Sequence, residues 1–194
     1  MVDTKSALRE VESQSAEIVD RVDFIRDNAG VKPFAGERAT LRELLEVVSH
    51  SKGDFEDFAE WHVPIYIGRC VIEELQGHWS VEARKSIATF GQAYVDGFGN
   101  IDHENLYLSY LHLNDESDLR RIEGLWKQSR HAHGLRQRFQ TEFGSLAGGS
   151  VSRKEVEARC VELGILPKSP MRFKVEKTRV TKYSKELGIQ LTKG

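Results

Sequence analysis

The residues most able to bind an anion crowd into the last quarter of the chain. Lys168, Arg172, Lys174, Lys177, Arg179, Lys182 and Lys185 fall within 18 positions, with Phe173 and Tyr183 among them. Ammonium and guanidinium groups neutralise phosphates and release their counterions, and aromatic rings stack on unpaired bases. These nine residues form the candidate nucleic-acid-binding set, and DNA or RNA is the partner they imply. A plain solvated surface is the competing reading, because Glu176 and Glu186 interrupt the same stretch.

The charge distribution supports the first reading. The 194 residues carry a net charge of −2, but residues 151–194 hold 11 Lys and Arg against 5 Asp and Glu. That segment is therefore +6 and the remainder −8. Such asymmetry is a statement about partners rather than fold. The basic end suits nucleic acid or an acidic protein surface, the chain's own included. Arg120, Arg121, Lys127, Arg130, Arg136 and Arg138 add cations upstream, although their spacing does not bring all of them to one helix face.

Histidine is the next candidate for chemistry. Seven are present: His50, His62, His78, His103, His112, His131 and His133. His131 and His133 are two apart. On a helix that rotates them by about 200°, so they face nearly opposite ways and do not share one ion. His78 and Glu82 have a chelating i,i+4 spacing, but Ser80 is placed to start a helix between them. Asp96, Asn100, Asp102 and Glu104 hint at a calcium loop, yet Ile101 and Tyr107 occupy the positions that need Gly and a bidentate Glu. No metal site and no cofactor is expected. The chain has no GxSxG, Walker A or GxGxxG motif, so a catalytic role is not indicated.

The segment Ala132-His133-Gly134-Leu135-Arg136 resembles the A-H-x-L-K core of histidine phosphotransfer domains. The resemblance covers five residues and departs at Gln137, where that family has glycine. It implies a helical bundle on which His133 accepts a phosphoryl group steadied by a nearby cation. The plainer reading is a surface histidine on a basic helix.

Cys70 and Cys160 are about 90 residues apart and form neither a CxxC pair nor a disulfide framework. They read as reduced, buried thiols. The N-terminus opens into charged sequence without a signal-like apolar run, and no stretch approaches the roughly 20 apolar residues of a membrane span. A cytoplasmic protein with no membrane partner is the expectation.

These groups must be positioned by helices. Leu8, Val11, Ser15, Ile18, Val22 and Ile25 form an a/d seam over residues 4–28, suited to docking on the body or to self-association. Asn28-Ala29-Gly30 supplies a stop. Thr40-Leu41-Arg42-Glu43 is a capping box before the stripe Leu41, Leu44, Leu45 and Val48. Asp54 begins a helix with Phe55, Phe58 and Trp61. Pro64 precedes an apolar run, Ile65 to Leu75. Gly77-His78-Trp79-Ser80 reads as a turn, with Ser80 capping a helix through Phe90 and Tyr94. Residues 96–100 read as a loop, and Asp102 starts a helix carrying Leu106, Tyr110 and Leu113. A turn at residues 114–117 leads into a long helix to about Phe143.

Residues 144–150 are glycine- and serine-rich and read as a flexible linker at the charge switch. Ser152-Arg153-Lys154-Glu155 is a second capping box. Two helices then end on the same signal, Leu163-Gly164-Ile165 and Leu187-Gly188-Ile189. Between them, residues 171–176 read as extended, and the last helix as residues 178–187. The expected fold is all-α: an N-terminal helix (residues 1–30), a helical body (31–143) and a basic C-terminal subdomain (151–194) of helix-turn-helix or winged-helix outline. The function this supports is a non-catalytic regulatory or adaptor protein acting on nucleic acid. The alternative is an interaction module, such as an immunity or assembly factor, that uses residues 4–28.

Overall fold

The computed structural model describes residues 9, 12–13, 15–18, 40–50, 62–81, 93–96, 106–107, 110–168 and 173–193. These residues are mostly helical, with two small sheets among them. It divides into two compact units, one of Met1–Phe98 and Glu104–Gln128, the other of Gly99–His103 and Ser129–Gly194. Each has its own apolar cluster.

In the first unit, helix α1 (Leu41–His50) starts at the expected capping box. The Thr40 amide donates to Glu43 Oε2 at 2.5 Å and the Glu43 amide to Thr40 Oγ1 at 3.3 Å. Two otherwise orphaned amides are thereby satisfied. Leu44, Leu45, Val47 and Val48 are buried, each contributing roughly 1.5–3 kcal/mol of hydrophobic stabilisation. Helix α2 (Val63–Leu75) has Pro64 in its first turn, where a missing N–H costs nothing. It is apolar on most sides and correspondingly buried, from Val63 to Gly68 and again at Val71, Ile72 and Leu75. It ends with Gln76 in the left-handed region (φ 55°), where the amides of Gln76 and Gly77 both reach the Ile72 carbonyl.

The chain then forms a strand rather than the expected turn. β1 (His78–Val81) pairs antiparallel with β2 (Ala93–Asp96), and β2 with β3 (Leu106–Tyr107). The register sets Trp79 opposite Val95, Ser80 opposite Tyr94 and Val95 opposite Leu106. Ser80 is therefore in a ladder rather than at a helix cap, and Tyr94 and Leu106 are strand residues. Non-local pairing overrides the local capping signal here. Trp79 is buried, and a Cβ at Gly68 would lie 2.6 Å from its Cη2, so only glycine admits the indole at that point of α2. Leu111, Leu113, Leu119 and Ile122 complete this core.

The described residues of the N-terminal helix add to the same cluster. Ser15 and Ile18 are buried while Arg9, Glu12, Ser13, Ala16 and Glu17 are exposed. Ser15 Oγ donates to the Glu12 carbonyl at 2.8 Å, so the polar seam position is satisfied within its own helix. Ile18 packs in the core of its own chain. Asp96, the first residue of the expected loop 96–100, ends β2; the rest of that loop, the remaining seam positions, the stop at residues 28–30, the helix with Phe55, Phe58 and Trp61, the segment through Phe90 and the start at Asp102 lie outside the described residues.

Helix α3 (Glu116–Phe143) begins where expected, with Asp115 Oδ1 accepting from the amides of Ser117 (2.7 Å) and Asp118 (2.9 Å). The division between units falls inside it. In the second unit its residues Phe139 and Phe143 are buried, and Phe139 meets Phe143 (centroids 4.6 Å) and Tyr183 (5.5 Å) at tilted angles. A 3-10 turn (Gly144–Leu146) leads to β4 (Ser150–Ser152), helix α4 (Arg153–Glu162), helix α5 (Phe173–Glu186) and β5 (Gln190–Thr192). Helix α5 starts at Phe173, so the stretch expected to be extended is helical from there.

Both Leu-Gly-Ile stops are complete Schellman motifs. Gly164 (φ 69°) donates to the Val161 carbonyl and Ile165 to that of Cys160; Gly188 (φ 68°) donates to Lys185 and Ile189 to Ser184. Ile165 and Ile189 are both buried in the second core. The glycine-rich segment is built into this arrangement rather than free. Gly148 donates to the Leu187 carbonyl at 3.1 Å, Gln190 donates to Gly149 at 2.8 Å, and β4 pairs parallel with β5, Val151 opposite Leu191. Ser152 is the N-cap of α4, but its side chain makes no cap hydrogen bond, and as a β4 residue it pairs with Thr192.

Candidate nucleic-acid interface

The nine candidate residues separate by depth. Lys168 and Lys185 are exposed. Arg179 and Lys182 are half-buried, and Arg179 Nη1 donates to the Ile165 carbonyl at 3.2 Å, tying α5 to the first stop. Phe173, Lys174 and Lys177 lie on the first turns of α5, and Arg172 falls outside the described residues. Tyr183 is a correction. It is 1% exposed, its ring packs on Phe139, and its hydroxyl donates to the Ala132 carbonyl at 3.4 Å. A ring held in the core cannot stack on an incoming base, so Tyr183 supports the fold instead.

Several cations near the set are neutralised locally. Arg136 pairs with Glu186 at 2.9 Å, and Arg159 with Glu142 and Glu162 at 2.7 Å each. The hydrogen bonds that Arg159 donates to Glu142 and then to Glu162 raise its pKa further above its ordinary value. Among the described residues, Lys168, Lys185 and Lys193 are in no ion pair, which leaves their charge available.

Helix α5 and β5 form one side each of a groove of about 650 Å³ in the second unit. Thr181, Ser184 and Lys185 stand at i, i+3 and i+4, on one face of α5. Six consecutive residues, 188–193, run along the other side, and Arg153 from the first turn of α4 joins them. Among the described residues no Asp or Glu lines the groove. Arg153 donates to Thr181 Oγ1 and lies 3.8 Å from Glu157. Sequence reasoning had selected only Lys185 of this group. Arg153 and Lys193 were missed because they are forty positions apart and only the β4–β5 pairing brings them to one groove.

The other candidates are placed as follows. His131 is exposed and His133 half-buried on α3, between buried Ala132 and Leu135. Arg136, the cation that the phosphotransfer resemblance sets beside His133, is engaged by Glu186. Among the described residues no three His, Cys, Asp or Glu side chains gather into a possible metal site, and no helix is long and apolar enough to cross a membrane. Cys160 is buried in the second core, and burial, aided by Glu157 and Glu142, pushes its thiol up to about 12. Such a thiol is almost entirely protonated at neutral pH and is a poor nucleophile. Cys70 is half-buried on α2. The chain matches no protein-family model, no curated protein and no solved structure.

Proposed function

We propose that this is a non-catalytic regulatory or adaptor protein that binds nucleic acid through the basic surface of its second unit. The observation that carries the reading is the charge of that unit. Counted over Gly99–His103 and Ser129–Gly194, it holds 14 Lys and Arg against 7 Asp and Glu, a net +7, while the first unit is −9. A polyanion is attracted to one unit and repelled by the other, which orients the encounter before any contact forms. The contact surface comprises Lys168, Arg172, Lys174, Lys177, Arg179, Lys182 and Lys185, with Arg153 and Lys193 added and Tyr183 removed. The helical pair α4 and α5 is sufficient for this reading. A hairpin wing is not part of it, because β4 and β5 are parallel.

Fluorescence anisotropy with labelled DNA and RNA, single- and double-stranded, across a salt series tests the proposal. Binding at low salt should weaken linearly in log–log form, with a slope of about −0.7 to −0.9 per phosphate contacted. Replacing Lys168, Lys174 and Lys177 by Gln should make that slope shallower. Absence of binding to any of the four forms at low salt overturns it.

A further inference from the structure

We infer that the groove between α5 and β5 receives the terminal phosphate, and the nucleotide bearing it, of a nucleic-acid strand. This rests on the nucleic-acid reading above and narrows it to a strand end. Three observations point there. The first is charge: Arg153, Lys185 and Lys193 line one groove, and among the described residues no carboxylate joins them. The nearest acid to Arg153 is Glu157, one helical turn on and 3.8 Å away, too long for a hydrogen bond, so the guanidinium keeps donor capacity.

The second is an orphaned hydroxyl. Ser184 is 1% exposed, lines the groove, and its Oγ has no hydrogen-bond partner. A helical serine ordinarily satisfies itself by donating to a carbonyl a turn back, as Ser49 does to Leu45 and Ser15 to Glu12, both at 2.8 Å. Ser184 does not. A buried donor left unmade is costly unless something supplies an acceptor. A phosphate oxygen is such an acceptor, and the hydroxyls of Thr181 and Thr192 stand on the same walls.

The third is size. A volume of about 650 Å³ suits a ligand of nucleotide dimensions rather than a bare ion. A groove with cations, hydroxyls and the apolar Ile189 and Leu191 fits a phosphomonoester with its sugar and base. A terminal phosphate also carries more negative charge than an internal diester, near −2 at neutral pH, and so gains more from three convergent cations.

The test uses the full chain and two probes. Inorganic phosphate is titrated while backbone amide shifts are followed by NMR; saturable shifts confined to residues 181–193 and Arg153 are expected. Single-stranded oligonucleotides of one sequence, with a terminal phosphate or a terminal hydroxyl at either end, are then compared by anisotropy. The phosphorylated strand should bind about tenfold more tightly. K185Q/K193Q should remove that preference while leaving the circular dichroism spectrum unchanged, and S184A should weaken it. Equal affinity for phosphorylated and hydroxyl strands, with no localised phosphate shifts, overturns the inference and leaves the nucleic-acid reading standing. Localised phosphate shifts without binding of any strand overturn the nucleic-acid reading and with it the strand-end assignment.

Discussion

The first unit carries a charge of −9 and all three tryptophans, and the second carries +7 and none. They also end their helices differently. In the first, α2 stops with Gln76 at φ 55°, a left-handed backbone that costs a side-chain-bearing residue about 1–2 kcal/mol. In the second, α4 and α5 both stop with glycine and bury the following isoleucine. The start signals reverse the order: the capping box is closed at Thr40 and open at Ser152. Local helix signals are thus met at opposite ends in the two units, and the shortfall is made up by burial in the first and by strand pairing in the second.

The largest expected effect separates the units. Phe139→Ala removes the ring that both Phe143 and Tyr183 pack on, and should cost about 3–5 kcal/mol. Hydrogen exchange at Tyr183 and Cys160 should accelerate, while urea unfolding followed by tryptophan fluorescence, which reports the first unit alone, should keep its midpoint. A parallel drop in the tryptophan midpoint would show that the two units unfold as one.

The stops give the next effect. Gly164→Ala and Gly188→Ala should each lose about 1–2 kcal/mol, because alanine must adopt the left-handed conformation that glycine holds freely. Gln76→Gly should move the other way and raise stability by up to about 1 kcal/mol. Thermal melts of the three variants check the signs. A loss in Gln76→Gly would mean that its side chain compensates the strain.

A smaller difference lies at the starts. Thr40→Ala should cost about 1 kcal/mol, whereas Ser152→Ala should change stability by only a few tenths. Equal losses by urea denaturation would remove this contrast.

The last effect shows no pH dependence near neutrality. Burial holds the Cys160 thiol neutral, so its pKa in the folded protein is raised from about 9 to about 12. The folded state then binds the proton more tightly than the unfolded one. This stabilisation is complete below pH 9 and is lost as pH rises toward 12. Relative to Cys160→Ala, the wild-type unfolding midpoint should fall between pH 9 and 12 and be unaffected from 6 to 8. A constant offset across that range would refute it.

Much of the helical framework was legible because its signals are local. Thr40 with Glu43, Asn114 to Ser117, and the two Leu-Gly-Ile stops each place donor and acceptor within six residues, the range over which spacing alone is informative. The strands were not legible. His78–Val81 has only four residues, and its ladder partner Ala93–Asp96 is fixed by pairing rather than by its own pattern. Residues 144–150 were read as a linker for the same reason. Composition reports their freedom in isolation, while Gly148 and Gly149 are held by Leu187 and Gln190, about forty positions away. At the candidate interface, Tyr183 looked like a stacking residue by its neighbours in sequence, and only the third dimension turns it inward. Lys193 and Arg153 became part of one groove through the same long-range pairing.

The parallel pair of β4 and β5 has a consequence for how the protein is made. Ser150 meets Gln190 across forty residues, so β4 leaves the ribosome well before its partner exists. At about 5–20 residues per second that interval is roughly 2–8 s. During it, Phe139 and Phe143 have no Tyr183 or Ile189 to cover them, whereas the residues of the acidic unit have all been synthesised. The basic surface is therefore the last part of the described chain to take shape during translation. A nascent chain paused before Tyr183 would leave Phe139 and Phe143 uncovered and would lack Lys185 and Lys193, so synthesis of residues 183–193 closes the second core and completes the α5–β5 groove together.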